Sequence, residues 1–498
     1  MTVQSVICPR ESKPNRKRTK SLLALALVLA AAGTARADFV EYHLGKGARI
    51  LLQGKATGLP GGNMSLQHPL GTLYFDLHDC KIHTVPTLNQ QYRKRLRAAL
   101  NEKNAAGVFQ AGVWALKHGM LDEYYEAVNE TLNVDPKFEE AKRILALRDR
   151  LRKPAASRSG EADEMRRFVH RKEMKFATSD HFSLLYDTPD KPDKESRIKK
   201  PRHELRLELL ERVYETFLLT FYSRGVDLEV PKERLQVVLF NNYADYKDFS
   251  TRLSPELVNA SGFYLPERNI SFFFDHASSE RFKQLNEAAA RLKGIGKDAA
   301  KGKMSGAKDI IRLANTIDLL IQVDRESNDV EVVSHEATHQ MASNTGLFPH
   351  HVRVPKWVHE GLAAYFESPN DGAWSGVGAV NEQRLMFYRA LEPDREHSSL
   401  NFIVGDQIFD YAVSLGAVLH GYGQAWALTH FLVEKHFDEL MRFYKALGEL
   451  PPDIEFTPEV LNPLFDREFG TDRSLLDQEW RSYMRSLRTD VEEVLGSK

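Results

Sequence analysis

The segment His335-Glu336-Ala337-Thr338-His339 constrains the fold more than any other part of this 498-residue chain. Apolar residues recur around it at helical steps, at Val330, Val333, Ala337 and Met341. On a helix, His335 and His339 project from one face, one turn apart, and can reach a single metal ion. Glu336 lies about 100° around the helix, outside the reach of a ligand but well placed to meet a water at the metal. The motif therefore predicts a helical metal site whose third ligand comes from another segment.

The third ligand is predicted in a second helix, within the sequence VPKWVHEGLAAYFES at 354–368. Pro355 suits the first turn of a helix, and Glu360 follows far enough after His339 for a short turn to return an antiparallel helix to the histidines. Gly361 removes a side chain where two helices must approach closely. His359 is the rival ligand. Because it lies one helical step from Glu360, we expect only one of the two to bind the metal.

The combined pattern HEATHQ…PKWVHEGLAAYFE resembles the gluzincin metallopeptidases, in particular the peptidase MA-like group of bacterial exported proteins. The earlier segments FATSDHFSLLYD, LQVVLFNNYADYKDF and GFYLPERN are similar to the N-terminal sheet of that group, so the resemblance covers about 176–447. It implies an α+β fold in which a zincin-like metallopeptidase domain has a small mixed sheet plus active-site helices. That domain is expected to follow a small β-module and a TPR-like helical hairpin.

The resemblance also implies roles for individual residues. His335, His339 and Glu360 would bind Zn²⁺, and Glu336 would be the general base. The Glu-Gly-x-Ala context favours Glu360 over His359 as the third ligand. The chain departs from the pattern at Ala364, where some gluzincins have an acidic residue that orients the ligand histidines, so the orienting group stays unidentified at this point.

A donor that steadies the developing oxyanion is a further implication of the resemblance. The segment 420–449 resembles the later helix of the group, which often begins Tyr-x-Gln-Ala, and Tyr422 is the candidate. Tyr411 and His430 compete with it. The alternative for Tyr422 itself is simple packing against Trp426, four residues further on.

The resemblance further implies hydrolysis of peptide bonds by a zinc-bound water, with Glu336 taking its proton and passing it to the leaving amine; zinc chemistry alone would also permit other amides. The expected partner is a peptide or protein substrate. The alternative is a cell-envelope binding or scaffold protein with an inactive or structural metallopeptidase-like domain. Structural zinc sites usually have four protein ligands, often cysteines. Three evident ligands and no nearby cysteine therefore favour the enzyme.

The first 37 residues are predicted to be a secretory signal peptide, with a basic stretch at 10–20, an apolar run at 21–33 and Ala35-Arg36-Ala37 as the cleavage site. The apolar run is too short to span a bilayer, so we expect an exported, periplasmic or secreted chain with no stable membrane span. Cleavage removes seven Lys and Arg and one Glu, which changes the net charge from −1 to about −7 and argues against nucleic acid as a partner. Cys80 is then the only thiol, so no internal disulfide can form.

After the signal peptide, the composition predicts four parts. Residues 38–86 alternate apolar and polar and indicate a small β-rich module. Residues 87–151 indicate a TPR-like helical region, interpreted as a hairpin packed on its neighbour, with a peptide-binding groove for a protein partner as the alternative. Residues 152–165 have the composition of a linker, and 166–498 form the metallopeptidase-like domain. Its Lys/Gly-rich segment 279–326 is predicted to be a solvated surface insertion, with a mobile lid as a minor alternative.

Overall fold

The computed structural model describes residues 25–26, 37–43, 49–68, 70–192, 198–255, 257, 260–302, 306–348, 353–367, 376–489, 492–493 and 496. Two separate sheets and a majority of helices make up this part of the chain, which confirms the predicted α+β class. The predicted signal peptide lies outside the described residues except for Leu25–Ala26 and Ala37. Among the described residues, no helix combines the length and the apolar character needed to cross a membrane.

Most of the first sheet lies within 38–86, the range predicted for the β-module, but β1 and the first residue of β2 fall in the predicted signal peptide. Its strands follow the order β5-β4-β3-β2-β6 with antiparallel neighbours, and the short β1 pairs in parallel with β3. The strands are β1 (Leu25–Ala26), β2 (Ala37–His43), β3 (Arg49–Leu59), β4 (Asn63–His68), β5 (Gly71–Asp76) and β6 (Cys80–Val85). Val40, Leu52 and Met64 lie on one face of this sheet and are fully buried.

The helical region at 87–151 contains four helices, so the predicted single hairpin is wrong. They are α1 (Leu88–Asn101), α2 (Ala105–Lys117), α3 (Leu121–Val134) and α4 (Glu139–Leu151). Asn104 accepts a hydrogen bond from the Gly107 N–H and caps the start of α2. This cap separates α1 from α2 within a segment whose apolar residues recur at helical steps throughout. Gly112 allows α2 and α3 to approach closely, because a side chain there would meet Ala127 at 2.9 Å.

The predicted linker at 152–165 is partly helical, which corrects that interpretation. Helix α5 (Glu161–Val169) begins inside it, after Gly160 in the left-handed conformation with φ of 75°. Glu161 is buried and accepts a hydrogen bond from Ser183, and Met165 joins an apolar core. Composition alone missed these two contacts, which attach the segment to the domain that follows.

The second sheet has the order β10-β11-β9-β8-β7. Its central strands β8, β9 and β11 are parallel, and the edge strands β7 and β10 are antiparallel to their neighbours. The central strands are buried along their whole length and mostly apolar because both faces of the sheet are covered. The elements of this region are β7 (Lys175–Thr178), β8 (Phe182–Tyr186), α6 (Arg202–Tyr222), β9 (Leu235–Phe240), α7 (Tyr243–Leu253), β10 (Gly262–Leu265) and β11 (Ile270–Phe274).

The Lys/Gly-rich segment 279–326 forms α8 (Glu280–Lys301) and the first half of α9 (Ala307–Asn344). The predicted solvated insertion is wrong for that half, because Leu319 and Val323 are fully buried against the apolar face of the β-module. Gly296 packs α8 against α9, since a side chain there would lie 2.9 Å from Ile311. The composition of the segment is polar overall because only one side of each helix is apolar, so composition alone did not predict these buried contacts.

The remaining helices surround α14, which packs against both α10 and α11. They are α10 (Lys356–Phe366), α11 (Glu382–Leu391), α12 (Leu400–Val404), α13 (Ile408–Ser414), α14 (Leu419–Lys435), α15 (Phe437–Gly448), α16 (Pro458–Phe469) and α17 (Arg473–Ser486). Gly361 of α10 lies against α14, and a side chain there would come within 2.7 Å of the Ala425 carbonyl oxygen. The predicted close approach therefore exists, and the helix that Gly361 approaches is α14.

Candidate metal centre and active site

Helix α9 places both histidines of the motif on the side that faces α10. The imidazole centroids of His335 and His339 are 4.8 Å apart and the rings are nearly perpendicular, at 88°. Gln340 fixes the helix to the sheet, because its side-chain amide donates to the carbonyl oxygens of Gln236 and Asn269 and its oxygen accepts from Ser271. The second sheet thus sets the height and rotation of the histidines.

Glu360 on α10 reaches both rings. Its Oε2 is 3.1 Å from His335 Nε2 and 3.8 Å from His339 Nε2. One ligand atom from each of the three residues lies within 4.8 Å of the other two. Two imidazoles and a carboxylate are the donor types that Zn²⁺ and similar divalent ions take, so these residues fit a metal ion.

A side chain distant in sequence fixes the start of α10. Pro355 precedes the helix and provides no side-chain cap. The carboxylate of Asp406 instead accepts hydrogen bonds from the backbone N–H groups of Lys356 and Trp357, both at 2.9 Å. Asp406 holds a left-handed backbone conformation with φ of 60° to do so. This contact stabilises the free N–H groups of the helix that carries Glu360.

The buried ligand groups differ in charge state. Burial lowers the pKa of His339 well below its ordinary value and neighbouring His359 lowers it further, so the ring is neutral, as a metal ligand must be. Burial alone would raise the pKa of Glu360, but the hydrogen bonds from His335 and His359 and the charges of His339 and His335 together outweigh it and hold the pKa of that carboxyl well below its usual range. Hydrogen bonds to Glu360 and Glu367 raise the pKa of His335 in spite of burial, so metal binding there would release a proton.

Glu336 lies beside the three ligand residues and faces the edge strand β10. Burial raises the pKa of Glu336 to about 7, with the negative charge of Glu360 adding to the shift and His335 opposing it. The backbone of Tyr264 on β10 lies close enough to this carboxyl to lower its pKa slightly against the effect of burial. A carboxyl that titrates near neutral pH both accepts and releases protons readily, which a general base requires.

Glu367 is the carboxylate that orients a ligand histidine, and it was missed in the sequence. Its Oε1 accepts a hydrogen bond from His335 Nδ1 at 2.9 Å, which leaves Nε2 directed at Glu360. Glu367 itself is 2% exposed. Helical spacing puts it two turns after Glu360, so a search one turn beyond Ala364 would have found it. A carboxylate behind a ligand histidine fixes the ring orientation and makes it a stronger ligand.

Of the three candidates for the oxyanion donor, Tyr422 lies at the site. Its ring centroid is 6.1 Å from that of His335, and the ring packs edge-on against Phe409 at 5.2 Å. Tyr411 instead donates to Asp394 and stacks on His397 at 3.8 Å. The His430 ring bonds the carbonyl of Gly378 and the hydroxyl of Tyr483.

The rival ligand His359 does not point away from the site. Its ring stacks on that of His339 at 3.7 Å with an interplanar angle of 8°, and its Nδ1 is 3.6 Å from Glu360 Oε1. The set of mutually close ligand atoms nevertheless consists of His335, His339 and Glu360. His359 is therefore a neighbour that packs on one ligand and touches another.

A comparison with protein families matches residues 329–453 to a family described as protein of unknown function (DUF1570). The match covers about a quarter of the chain and includes the residues described above from His335 to Tyr422. No curated protein and no solved structure matches the chain. The matched segment contains the whole candidate centre, whereas the β-module and α1–α4 lie outside it.

Proposed function

We propose that this chain is a zinc-dependent peptidase of the gluzincin type, with a zincin-like domain built from the second sheet, α9 and α10. The observation that carries the proposal is the convergence of His335, His339 and Glu360 within 4.8 Å, with Glu336 beside them. The HExxH motif and the downstream glutamate come from two helices, and Glu360 follows His339 by 21 residues in sequence. Three ligands leave a position open to substrate, as catalytic rather than structural zinc sites do.

Each residue near the centre has a separate task in this proposal. Zinc held by the triad would supply a Lewis acid that polarises the scissile carbonyl. Glu336 takes a proton from the attacking water and delivers it to the leaving amine. The Tyr422 hydroxyl donates a hydrogen bond to the oxyanion that forms on the carbonyl oxygen. Glu367 keeps the His335 ring in the orientation that binds the ion.

The edge strand β10 supports a polypeptide as the substrate. Among the described residues, β10 pairs with β11 on one side only and ends the sheet. Tyr264 on this strand contacts Glu336, so the edge runs past the proposed general base. An extended chain that adds to a sheet edge forms backbone hydrogen bonds without regard to its side chains. Such pairing would carry a peptide bond of the substrate across the triad.

We also propose that the chain is exported and that its first 37 residues are removed. The basic stretch, the apolar run and the small residues before Asp38 support this. N-terminal sequencing of protein recovered from the cell envelope or the medium tests it. A mature chain that begins at Asp38 is the expected result, and an intact N-terminus in the cytoplasm would contradict it.

Metal analysis combined with cleavage assays tests the peptidase proposal. The purified full chain should contain about one zinc per molecule and should cleave members of a broad peptide library in a manner that a chelator abolishes. Glu360→Ala should lose the metal, and Glu336→Gln should keep it without turnover. Zinc at full occupancy after Glu360→Ala would overturn the ligand assignment and point to His359. Bound zinc in a wild-type chain that cleaves no peptide would overturn the peptidase function.

A further inference from the structure

The His335 ring and the Tyr422 ring belong to different helices, α9 and α14, yet one buried side chain contacts the surroundings of both. That side chain is Arg384 of α11, which is 1% exposed. The mechanism above assigns it no part. Its contacts run in three directions, to Glu367, to Glu331 and to the face of Tyr422.

The first contact fixes the carboxylate behind His335. Arg384 Nε donates to Glu367 Oε2 at 2.9 Å and Nη2 donates to Oε1 at 2.7 Å, and Asn381 adds a hydrogen bond to Oε2 at 2.9 Å. Oε1 also accepts from His335 Nδ1. Both carboxylate oxygens are therefore held in one plane by a forked guanidinium, a geometry that lysine cannot reproduce.

The second contact ties the same guanidinium to the metal helix itself. Arg384 Nη2 donates to Glu331 Oε1 at 3.0 Å. Glu331 precedes His335 by one helical turn, so α11 is joined to α9 directly next to the first ligand. A rotation of α9 that moved His335 would have to break this hydrogen bond.

The third contact involves the aromatic face of Tyr422. Arg384 Cζ lies 5.2 Å from the centroid of that ring, within the range of a cation–π interaction. Next to it, Gly423 brings the backbones of α14 and α11 together, because a side chain there would lie 2.8 Å from the Tyr388 nitrogen and 3.0 Å from the Arg384 carbonyl oxygen. The ring of Tyr422 is thereby confined between Arg384 and Phe409.

We propose that Arg384 is a positioning residue for two parts of the active site. It orients the His335 ring through Glu367, and it positions the Tyr422 ring through the contact of its guanidinium group with that ring. This inference rests on the proposed function for the meaning of both parts. Arg384 touches neither the ligand atoms nor the substrate position. Its effect is to make the orientation of the metal ligand and the position of the oxyanion donor depend on one side chain.

The test compares Arg384→Met with Glu367→Gln and with Arg389→Met, a control from the same helix. Arg389 is 37% exposed at its side chain and pairs with Glu492. Arg384→Met and Glu367→Gln should each weaken zinc binding about 10- to 100-fold and alter the visible spectrum of the cobalt-substituted protein. Arg389→Met should change neither. In protein labelled with fluorotyrosine, the ¹⁹F resonance that Tyr422→Phe removes should shift in Arg384→Met and stay in place in Arg389→Met.

The kcat measured at saturating zinc distinguishes the effect of Arg384 on Tyr422 from its effect on His335. Arg384→Met should lower kcat further than Glu367→Gln does, and that extra loss should vanish in a Tyr422→Phe background. If Arg384→Met loses the wild-type circular dichroism spectrum, Arg384→Lys replaces it, and an intermediate loss of zinc affinity is expected because a lysine bonds only one carboxylate oxygen at a time.

The inference and the proposed function fail in different ways. A folded Arg384→Met that binds zinc like wild type, with an unchanged cobalt spectrum, would overturn the inference even in an active peptidase. A Tyr422 resonance that does not shift in Arg384→Met would overturn the proposed positioning of Tyr422 by Arg384. If the wild-type chain cleaves nothing while the zinc affinity and the Tyr422 resonance respond as expected, the peptidase proposal falls and the positioning role of Arg384 stands.

Discussion

The two halves of α9 belong to one continuous helix but are surrounded by different chemistry. The first half, 307–326, buries Leu319 and Val323 against the β-module in a mostly apolar contact, with one hydrogen bond from Arg312 to Asn63 at its edge. The second half, 327–344, carries the two histidines and is surrounded by polar partners, among them Glu360 and Glu367. The comparison teaches that one helix can contribute to the apolar core at one end and carry a candidate metal centre at the other. Substitutions in the two halves should therefore affect different measurements.

Two ion pairs mark the boundary between these halves. Glu326 accepts a forked hydrogen-bond pair from Arg202, at 2.6 and 2.7 Å, and Asp329 pairs with Arg206 at 2.5 Å. Both arginines come from α6, so the middle of α9 is fixed to the domain that contains the second sheet. Movements of the first half are thereby resisted before they reach the histidines.

The largest effect is expected from Glu336→Gln in the second half. The amide cannot take a proton from the attacking water, so kcat should fall by about 10²–10⁴-fold. Zinc content and thermal stability should stay near wild type, because the ligands and the core are untouched. Measured kcat on a cleaved library peptide, with metal analysis alongside, checks this. A variant with wild-type turnover would show that another group is the base.

Tyr422→Phe should give the next largest loss. Removal of one oxyanion donor typically costs about 10²–10³-fold in kcat. The ring stays, so its packing against Phe409 and Arg384 is preserved and zinc affinity should not change. Tyr411→Phe is the matched control, since that hydroxyl bonds Asp394 away from the triad, and its kcat should equal that of wild type. Equal losses in the two variants would remove Tyr422 from the mechanism.

Leu319→Ala tests the first half of the helix. It opens a cavity in the contact with the β-module and should lower the free energy of unfolding by about 3 kcal/mol, within the usual range for a buried leucine. Kinetic constants of the folded fraction should not change. Leu475→Ala on α17 removes the same atoms from a side chain that is 63% exposed and should cost less than about 0.5 kcal/mol. Urea unfolding of both variants gives their free energies of unfolding, and the difference between them shows whether the loss depends on burial of the leucine.

Asp406→Ala should have the smallest effect, about 1 kcal/mol, because it removes a cap from α10. Burial raises the pKa of Asp406 from 3.8 to about 6, so the folded chain binds a proton there more readily than the unfolded chain. The contribution of this group to stability is therefore greatest at low pH and declines as pH rises from about 4 to 6. Unfolding of both proteins at pH 4.5 and pH 7 should give a larger deficit for the variant at the lower pH. Asp410→Ala, which removes an exposed partner of Lys356, is the control.

Local pattern, together with the family resemblance, predicted the three residues that the structure brings together as a possible metal site, but not the side chains that support them. Helical spacing predicted that His335 and His339 share a face, and the position of Glu360 one helix later followed from a plausible turn. Glu367 itself could have been found by helical spacing from Glu360, but its partners Arg384 and Asn381, which follow it by 17 and 14 residues, meet it only in the folded chain. The burial of 307–326 was missed for the same reason, since its apolar partner is a sheet more than 200 residues earlier.

The length of α9 fixes how far the β-module lies from the histidines. Val323 and His335 lie 12 residues apart on a continuous helix, so about 18 Å of rigid backbone separates the module from the first histidine. An extended polypeptide covers that distance in about five or six residues. Because α9 is continuous, the β-module cannot move towards or away from His335 unless the helix bends.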